Sequence, residues 1–293
     1  MNRLFLILII VLAFPFIGNA QRKRAFMVGI SKYHTNGYKV WNNIHGAEDV
    51  ALLTPELEKK GFKVKALTNE HATYRGILNA LNSFITASKK GDVVYLHFSC
   101  HGQPVEDGLN GMAKEEKDGW DEALVPIDAG KTYNVNGYKG EKHLTDDEIN
   151  IYISKLRKMI GSTGVLYVAM DACHIGESSR VGLETVRGTN EALTSRPNCK
   201  YNPPKSNIKH YSIEKGKDMA PTLFIEACQS RERNTEIRIN GKEYGALSYN
   251  IWLAIKDMGH FDKYTKDKFK ANIDASTKIK GRWPRTQTLI MEE

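Results

Sequence analysis

The chain has 293 residues, of which 41% are hydrophobic and 26% are charged, with a formal net charge of +8. These proportions are typical of a globular protein, they argue against a disordered chain, and the length suits one large α/β domain. The positive charge is densest in residues 180–217, but that stretch lacks the interleaved aromatic side chains of a nucleic-acid-binding platform, so no nucleic-acid partner is expected.

Residues 1–20 have the features of a secretory signal peptide. Arg3 precedes an apolar stretch, residues 4–17, that is short for a membrane span and is followed by the small residues Gly18 and Ala20. Cleavage after Ala20 would remove Arg3 and lower the net charge from +8 to +7. We expect an exported protein, periplasmic or extracellular, in which residues 21–293 form one domain without a stable membrane anchor. An uncleaved anchor is the alternative.

The chain has four cysteines, which are Cys100, Cys173, Cys199 and Cys228. Their spacing matches no CxxC or other metal-binding pattern, and they are too few to form a disulfide scaffold. Export would permit a disulfide, and the sequence leaves open whether Cys199 is paired or reduced.

Strand-like and helix-like patterns alternate along the chain, which predicts a mostly parallel central sheet with helices on both faces. The predicted strands are residues 25–31, 62–67, 93–98, 164–170 and 221–228. The predicted helices are one with an apolar face over residues 47–57, one over residues 73–86, one that begins at the capping box of residues 145–148, and one over residues 245–258. About 40 residues between the fourth and fifth strands show no periodicity, and a loop of that length is usually functional or mobile.

Two predicted strands end in residues that can carry chemistry. The third strand continues into Ser99, Cys100, His101 and Gly102, and the fourth continues into Asp171 and Cys173. If these parallel strands are neighbours, their carboxyl ends share one edge of the sheet, which is where ligands bind. There His101 could activate the Cys173 thiol for acyl transfer, and the N–H of Gly102 could bind the developing oxyanion. The plain alternative is that both side chains only fill the core.

Several segments resemble one known family. Residues 95–102 (Tyr-Leu-His-Phe-Ser-Cys-His-Gly) resemble the Y-x-H/Y-x-S-G-H-G strand of caspases and metacaspases, and residues 170–176 (Met-Asp-Ala-Cys-His-Ile-Gly) resemble their D-x-C-H-S-G segment. Residues 118–128 resemble a metacaspase segment that caspases proper lack. With shorter likenesses on either side, the resemblance covers roughly residues 24–258 in the expected order, and it favours the metacaspase branch.

The resemblance implies a three-layer, caspase-like α/β fold and a cysteine endopeptidase whose catalytic dyad is His101 and Cys173. It also matches Asp49, Ser99 and Asp171 to positions that line the primary substrate pocket of metacaspases. Two carboxylates there would select Lys or Arg before the cleaved bond, so the expected partners are proteins or peptides with basic residues. The plain alternatives are a helix-start charge for Asp49 and a backbone-turn cap for Asp171.

The chain departs from the family pattern at Cys100, which replaces a Gly, and at Ile175, which replaces a Ser; neither change removes a reacting group. Asp146 and Asp147 match a pair that binds calcium in some metacaspases, but Arg180 stands near where a further acidic ligand would be expected. We therefore expect no required cofactor and assign no metal site. Calcium is the alternative, and helix capping explains the two aspartates equally well.

The long loop, residues 180–220, is rich in basic residues, so an enzyme that prefers basic residues could cut itself there. A basic surface loop is the plain alternative. The basic residues named for this hypothesis are Arg180, Arg187, Arg196, Lys200, Lys205, Lys209, Lys215 and Lys217.

Two other functions compete with the endopeptidase. One is a catalytically silent, caspase-like binding module, which would have no need to keep both His101 and Cys173. The other is a relative of clostripain or gingipain, which the metacaspase-like segment of residues 118–128 argues against.

Overall fold

The computed structural model describes residues 21–33, 41–109, 111, 118–174, 185–203 and 216–293. The predicted signal peptide lies outside these ranges, and so do Ile175, Arg180, Lys205, Lys209 and Lys215. Among the described residues, no helix combines the length and the apolar character that crossing a bilayer requires.

The described chain alternates strands and helices. The strands are β1 (Lys23–Gly29), β2 (Phe62–Thr68), β3 (Val93–Ser99), β4 (His101–Glu106), β5 (Trp120–Val125), β6 (Leu144–Thr145), β7 (Val165–Asp171), β8 (Thr222–Glu226), β9 (Glu236–Ile239), β10 (Lys242–Gly245) and β11 (Ile290–Glu292). The helices are α1 (Gly46–Lys59), α2 (Tyr74–Thr86), α3 (Asp146–Ile160), α4 (Ala246–Asp257) and α5 (Lys266–Thr277).

A six-stranded sheet in the order β11-β8-β7-β3-β1-β2 forms the centre of the protein. Five of its strands are parallel, and β11 pairs antiparallel with β8 at one edge. Every residue of β3 and β7 is buried, as expected for continuous apolar runs covered on both faces. The prediction of a mostly parallel central sheet is confirmed.

Helices cover both faces of this sheet. One face packs against α2 and α3 through residues such as Ile77, Leu81 and Ile153. The other face packs against α1, α4 and α5, which contribute Leu53, Ile251 and other buried side chains. The predicted three-layer architecture is therefore confirmed.

Two helices begin at the capping residues that the sequence indicated. The Thr73 side chain accepts a hydrogen bond from the N–H of Gly76 and caps α2. The Thr145 side chain accepts one from the N–H of Glu148, so the predicted capping box begins α3. Asp146 and Asp147 lie in the first turn of α3, where negative charge meets the positive end of the helix dipole.

Several elements of the fold were not predicted. The strands β4, β5 and β6 form a separate antiparallel sheet, β9 and β10 form a hairpin, and α5 follows the helix that the sequence predicted to be the last. The Gly, Pro and acidic residues of β4 and β5 obscure strand periodicity. Helix α5 has few apolar residues, and Phe269 and Ile273 are its buried ones.

Gly29 and Gly46 meet where α1 crosses β1. A Cβ atom added to Gly29 would lie 2.2 Å from the carbonyl oxygen of Gly46 and 2.6 Å from a methyl group of Val50. We expect Gly29→Ala to lower the free energy of unfolding by about 1–3 kcal/mol, because a backbone atom cannot move aside cheaply. Gly259→Ala is the control, since nothing lies within 4 Å of its added Cβ. Urea unfolding measures both variants, and equal midpoints would refute this account of the crossing.

Candidate active site

His101 and Cys173 lie at the carboxyl ends of two neighbouring parallel strands. Ser99 at the end of β3 is level with Asp171 at the end of β7, and His101 and Cys173 follow two residues beyond these strand ends. The two segments are in contact, since a Cβ added to Gly102 would lie 2.4 Å from the carbonyl oxygen of Cys173. His101 is fully buried and Cys173 is 2% exposed. The structure thus brings the two residues to one edge of the sheet, as the strand pattern predicted.

The His101 imidazole is held by a main-chain carbonyl and two aromatic rings. Its Nε2 lies 2.8 Å from the carbonyl oxygen of Asn42. The rings of Tyr33 and Trp41 lie 4.8 and 5.2 Å from it, measured between ring centroids. Burial lowers the pKa of His101 to about 4, so the ring is neutral at neutral pH. Its Nδ1 is buried and has no hydrogen-bond partner within the described ranges.

Two thiols share one carbonyl acceptor beside the strand ends. Cys173 Sγ lies 2.8 Å from the carbonyl oxygen of Glu232, and Cys228 Sγ lies 3.5 Å from the same oxygen. Interaction with the Cys173 side chain, together with burial, raises the pKa of Cys228 well above its usual range. Cys228 therefore stays a neutral thiol next to Cys173. In the described part of the chain, no disulfide is formed by any of the four cysteines.

Asp49, Ser99 and Asp171 surround the guanidinium group of Arg187. Arg187 Nη1 lies 2.8 Å from Asp49 Oδ2, 2.6 Å from Ser99 Oγ and 3.6 Å from Asp171 Oδ2. On its other side, Nη2 and Nε lie 2.8 and 3.1 Å from Glu236 Oε1. The Arg187, Asp49 and Asp171 side chains are fully buried, and that of Glu236 is 2% exposed. The three predicted pocket residues, with Glu236, thus form a closed acidic pocket that holds an arginine.

The pocket carboxyls differ in their pKa. Burial raises the pKa of Asp49 to about 7, against the opposing effect of the Arg187 charge. Burial also acts to raise the pKa of Asp171, but Arg187 and hydrogen bonds from Asn234 and Ser248 bring it below its usual range. The pKa of Glu236 is lowered as well, because Arg187 and His45 outweigh its burial. Asp49 is therefore the pocket carboxyl that changes charge near neutral pH.

Gly245 shapes the floor of this pocket. Its N–H donates to Asp49 Oδ1 at 3.0 Å. A Cβ at this position would lie 2.1 Å from Asp171 Oδ2 and 2.6 Å from Arg187 Nη1. Only a residue without a side chain leaves room for both the carboxylate and the guanidinium.

The main chain around Arg187 lies in the cleft between the strand ends and β9. The Arg187 carbonyl oxygen accepts hydrogen bonds from the N–H groups of Gly102, at 3.2 Å, and Cys173, at 3.1 Å. The Arg187 N–H donates to the carbonyl of Asn234 at 2.9 Å, and the Glu236 N–H donates to the carbonyl of Thr185 at 2.9 Å. The N–H of Gly102, expected to bind an oxyanion, therefore binds a peptide carbonyl here.

One further group of side chains could hold a cation. His45, Glu236 and Glu243 have ligand atoms within 4.8 Å of one another. However, His45 Nδ1 lies 2.5 Å from Glu236 Oε2, and this hydrogen bond raises the pKa of His45. A metal ion at this nitrogen would have to displace the proton, and the three side chains are arranged here as an ion-paired cluster.

The structure brings together all six residues that the sequence singled out, around the segment that holds Arg187. Sequence reasoning missed several partners, which are Asn42, Asn234, Glu236 and Gly245. Asn42 acts through its main-chain carbonyl and Gly245 through the absence of a side chain, so neither carries a residue-type signal. Arg187 was one of eight basic residues in the long loop, and the plain alternative of a basic surface loop is wrong for it, because Arg187 is fully buried.

The family follows from a comparison with family models. The model of the caspase domain matches residues 22–275, which include the strand ends, the acidic pocket and the segment around Arg187. This chain belongs to the caspase-domain family.

Relatives of this caspase-domain protein include metacaspases. It is 30% identical over 159 residues to "Metacaspase III c" of Phaeodactylum tricornutum, which covers 53% of this chain and 43% of the relative. It is 31% identical over 167 residues to "Metacaspase-2" of Arabidopsis thaliana, which covers 53% of this chain and 35% of the relative. The match thus spans less than half of the length of each. Within the caspase-domain family, the chain is thus similar to metacaspases.

A solved structure supports the same fold. Protein GSU0716 from Geobacter sulfurreducens superposes with a TM-score of 0.62 and 20% sequence identity, covering 92% of both chains. At that identity the likeness concerns the fold alone, and the fold is caspase-like.

The position of the proton on His101 can be measured. The Asn42 carbonyl can only accept a hydrogen bond, so we expect neutral His101 to carry its proton on Nε2 and to leave Nδ1 as the base. Nitrogen-15 NMR of the imidazole groups at about pH 6 should report this tautomer for His101 and a doubly protonated ring for His45, whose pKa is raised. A proton on Nδ1 of neutral His101 would contradict the assignment of the base.

Proposed function

We propose that this protein is a cysteine endopeptidase that uses Cys173 and His101 as its catalytic dyad and cleaves after basic residues, with arginine preferred over lysine. One observation carries the proposal. The Arg187 side chain lies in a buried acidic pocket while its carbonyl oxygen accepts hydrogen bonds from the N–H groups of Gly102 and Cys173. This is the arrangement in which a substrate would meet its nucleophile.

The first step of the proposed reaction is the activation of the thiol. His101 Nδ1, which is neutral and unprotonated in the tautomer set by Asn42, takes the proton from Cys173 Sγ. The thiol first has to leave its hydrogen bond to the Glu232 carbonyl. The thiolate is the attacking species, because the neutral thiol is a much weaker nucleophile.

The next steps form and hydrolyse an acyl-enzyme. Cys173 Sγ attacks the carbonyl carbon that precedes the scissile bond, and the N–H groups of Gly102 and Cys173 stabilise the oxyanion. His101 then gives its proton to the leaving amine. Water, deprotonated by His101, hydrolyses the thioester and regenerates the thiol.

Glu236 supports a preference for arginine over lysine. The guanidinium group is bound from two sides, by Asp49 and Ser99 at Nη1 and by Glu236 at Nη2 and Nε. A lysine ammonium is a single compact group and could reach one side only. The unmatched carboxylate would then stay buried without its partner, which is costly.

We also propose that the mature protein begins near Gln21 and acts outside the cytoplasm, because residues 1–20 have the sequence features of a signal peptide. The mass of the protein secreted by its native host, or by a host with a compatible export system, measures the cleavage point.

Matched reporter peptides that differ in the residue before the cleaved bond test the specificity. We expect kcat/KM for Arg to exceed that for Lys by at least about tenfold, the effect of losing one charge-assisted hydrogen bond, and no turnover for Asp. The Cys173→Ala variant should turn over none of them. Glu236→Gln should reduce the ratio of Arg to Lys. Equal rates for Arg and Lys would remove the role of Glu236, and a preference for Asp would overturn the pocket assignment.

The pKa of Asp49 predicts a pH dependence of substrate binding. With Arg187 in the pocket the pKa of Asp49 is about 7, whereas His101 stays neutral down to about pH 4. Protonation of Asp49 removes a negative charge from the pocket, so we expect KM for an Arg peptide to rise as the pH falls through the pKa that Asp49 has in the unoccupied pocket. Asp49→Asn should raise KM at every pH and abolish this dependence. If the variant keeps the same dependence, another group is responsible.

A further inference from the structure

We propose that Cys173 and Cys228 form a reversible disulfide when hydrogen peroxide oxidises the protein, and that this bond switches hydrolysis off while it protects the nucleophile from irreversible oxidation. The effect on hydrolysis rests on the proposed function, because it takes Cys173 as the nucleophile. The bond itself rests on the placement of the two thiols and can be detected whether or not the protein hydrolyses peptides. The inference assigns a role to Cys228, which the proposed reaction does not use.

The two cysteines follow neighbouring strands of the central sheet. Cys173 lies two residues beyond the end of β7, and Cys228 lies two residues beyond the end of β8. The strands are parallel, and Met170 is level with Glu226, so the cysteines are one residue out of level. A strand spacing of about 4.8 Å and a rise of about 3.3 Å per residue correspond to a Cα–Cα separation of about 6 Å. Disulfides span Cα–Cα separations of about 4.4–6.8 Å, so the backbone allows the bond.

The two sulfur atoms converge on one fixed acceptor. Cys173 Sγ and Cys228 Sγ lie 2.8 and 3.5 Å from the carbonyl oxygen of Glu232. The Glu232 N–H donates to the carbonyl of Gln229 at 2.8 Å. The Glu232 carboxylate accepts hydrogen bonds from the N–H and the hydroxyl of Thr288, both 2.7 Å long. The acceptor is therefore held in place from two sides, and it keeps the two thiols beside each other.

The thiol of Cys173 rests next to Cys228 and not on His101. It donates to the Glu232 carbonyl, whereas Nδ1 of His101 has no hydrogen-bond partner within the described ranges. A hydrogen bond with the Cys173 side chain is also the main cause of the raised pKa of Cys228. A disulfide would fix the sulfur in this resting direction. It would then be out of reach of the imidazole and of a substrate carbonyl.

The remaining two cysteines have different surroundings. Cys100 packs in the hydrophobic cluster on the sheet face that α2 and α3 cover. Cys199 is half-buried in the loop between β7 and β8. Cys228, which shares an acceptor with Cys173, is therefore the partner that the geometry favours.

The space beside the two thiols suits a small oxidant. Cys173 is 2% exposed and Cys228 is 7% exposed. Both line a cavity of about 10 Å³, which is the space that one water molecule needs, together with His174, Gln229 and Ser230. Hydrogen peroxide is little larger than water, whereas a peptide disulfide such as oxidised glutathione is far larger than this cavity. A hydroperoxide is therefore the class of oxidant that fits.

The oxidation removes two electrons and two protons from the pair of thiols. The sulfur of Cys173, deprotonated by His101, attacks one oxygen of hydrogen peroxide, the O–O bond breaks, and the hydroxide that leaves takes the proton and becomes water. Cys173 then carries a sulfenic acid. The sulfur of Cys228 attacks the sulfenic sulfur, the S–O bond breaks, and the hydroxyl leaves with the Cys228 proton as a second water. The peroxide is thus reduced to two water molecules.

The different environments of the thiols set the order of these steps. The raised pKa of Cys228 keeps it protonated at neutral pH, and a neutral thiol reacts poorly with oxidants. Cys173 is therefore oxidised first. A sulfenic acid without a neighbouring thiol can take up more oxygen and become a sulfinic acid, which thiol reductants do not restore. With Cys228 beside it, the sulfenic acid is trapped as a disulfide that a dithiol can reopen.

Peptide mapping of the oxidised full-length protein tests the bond. Reduced wild-type protein is treated with hydrogen peroxide, its free thiols are alkylated, and its tryptic peptides are identified by mass spectrometry. We expect the protein to lose about 2 Da before alkylation and to yield a linked pair of peptides that contain Cys173 and Cys228. Cys100 and Cys199 should be alkylated. A bond from Cys173 to either of these, a bond between two molecules, or a Cys173 that gains oxygen atoms in place of the bond would overturn the proposal.

Reporter-peptide hydrolysis tests the protective role. Cys228→Ser keeps a donor for the Glu232 carbonyl, so before oxidation it should hydrolyse an Arg peptide as the wild type does. After peroxide and then dithiothreitol, the wild type should regain its kcat/KM, whereas Cys228→Ser should regain less than about a tenth of it. The matched control Cys199→Ser should recover as the wild type does. Equal recovery of Cys228→Ser would overturn the protective role.

The two measurements separate this inference from the proposed function. Circular dichroism checks that Cys228→Ser is folded, and the peptide map of the wild type decides the pairing even if it is not. Thiol-dependent hydrolysis of Arg peptides without a bond between Cys173 and Cys228 would refute the oxidation alone. A bond between them in a protein that hydrolyses no Arg peptide in its reduced state would refute the proposed function alone.

Discussion

The structure around the cleft depends on one buried cation. The Arg187 guanidinium lies among the carboxyl groups of Asp49, Asp171 and Glu236, all of them removed from water. Charged groups lose several kcal/mol of hydration on burial, and a partner at close range has to offset that loss. Burial raises the pKa of Asp49, and the charge of Arg187 opposes this rise. The segment that carries Arg187 is thus held in place by the attraction between its guanidinium group and the pocket carboxylates.

The parallel sheet brings the residues of the acidic pocket close together. Strands β1, β3 and β7 end side by side, so residues far apart in the chain converge within one crevice. The acidic pocket takes Asp49 from α1, Ser99 from β3 and Asp171 from β7, and Gly245 immediately precedes α4. Since four elements contribute, the pocket exists only when the sheet and the helix layer that contains α1 and α4 are assembled. The acidic pocket and the fold therefore depend on the same packing.

The central fold could be predicted because its strands are continuous apolar runs separated by amphipathic helices. The strand ends also led to His101, Cys173 and Asp171, since parallel strands place successive ends at one edge. The small antiparallel sheet could not be predicted, because β4 and β5 owe their pairing to each other and not to a periodic pattern. Helix α5 was missed because two buried apolar residues, Phe269 and Ile273, are too few to mark it.

The candidate site was predictable where the chemistry resides in a side chain at a strand end, and not where it depends on long-range contact. Glu236 is 49 residues from Arg187 in the chain, and nothing in its neighbourhood distinguishes it from a surface glutamate. Arg187 was one of eight basic residues in an aperiodic loop, and the choice among them is made by three-dimensional fit. The peptide donors of Gly102 and Cys173 become visible only once a carbonyl oxygen lies between them.

The group that orients His101 is the peptide oxygen of Asn42, and every amino acid supplies the same atom. Evolution can therefore exchange the side chain at this position without losing the contact, whereas a shift of the local backbone would lose it. What must be inherited is the path of the chain next to Trp41, whose ring stacks on the imidazole. Comparing residue types across relatives would overlook this neighbour of His101, and only a comparison of backbone geometry would find it.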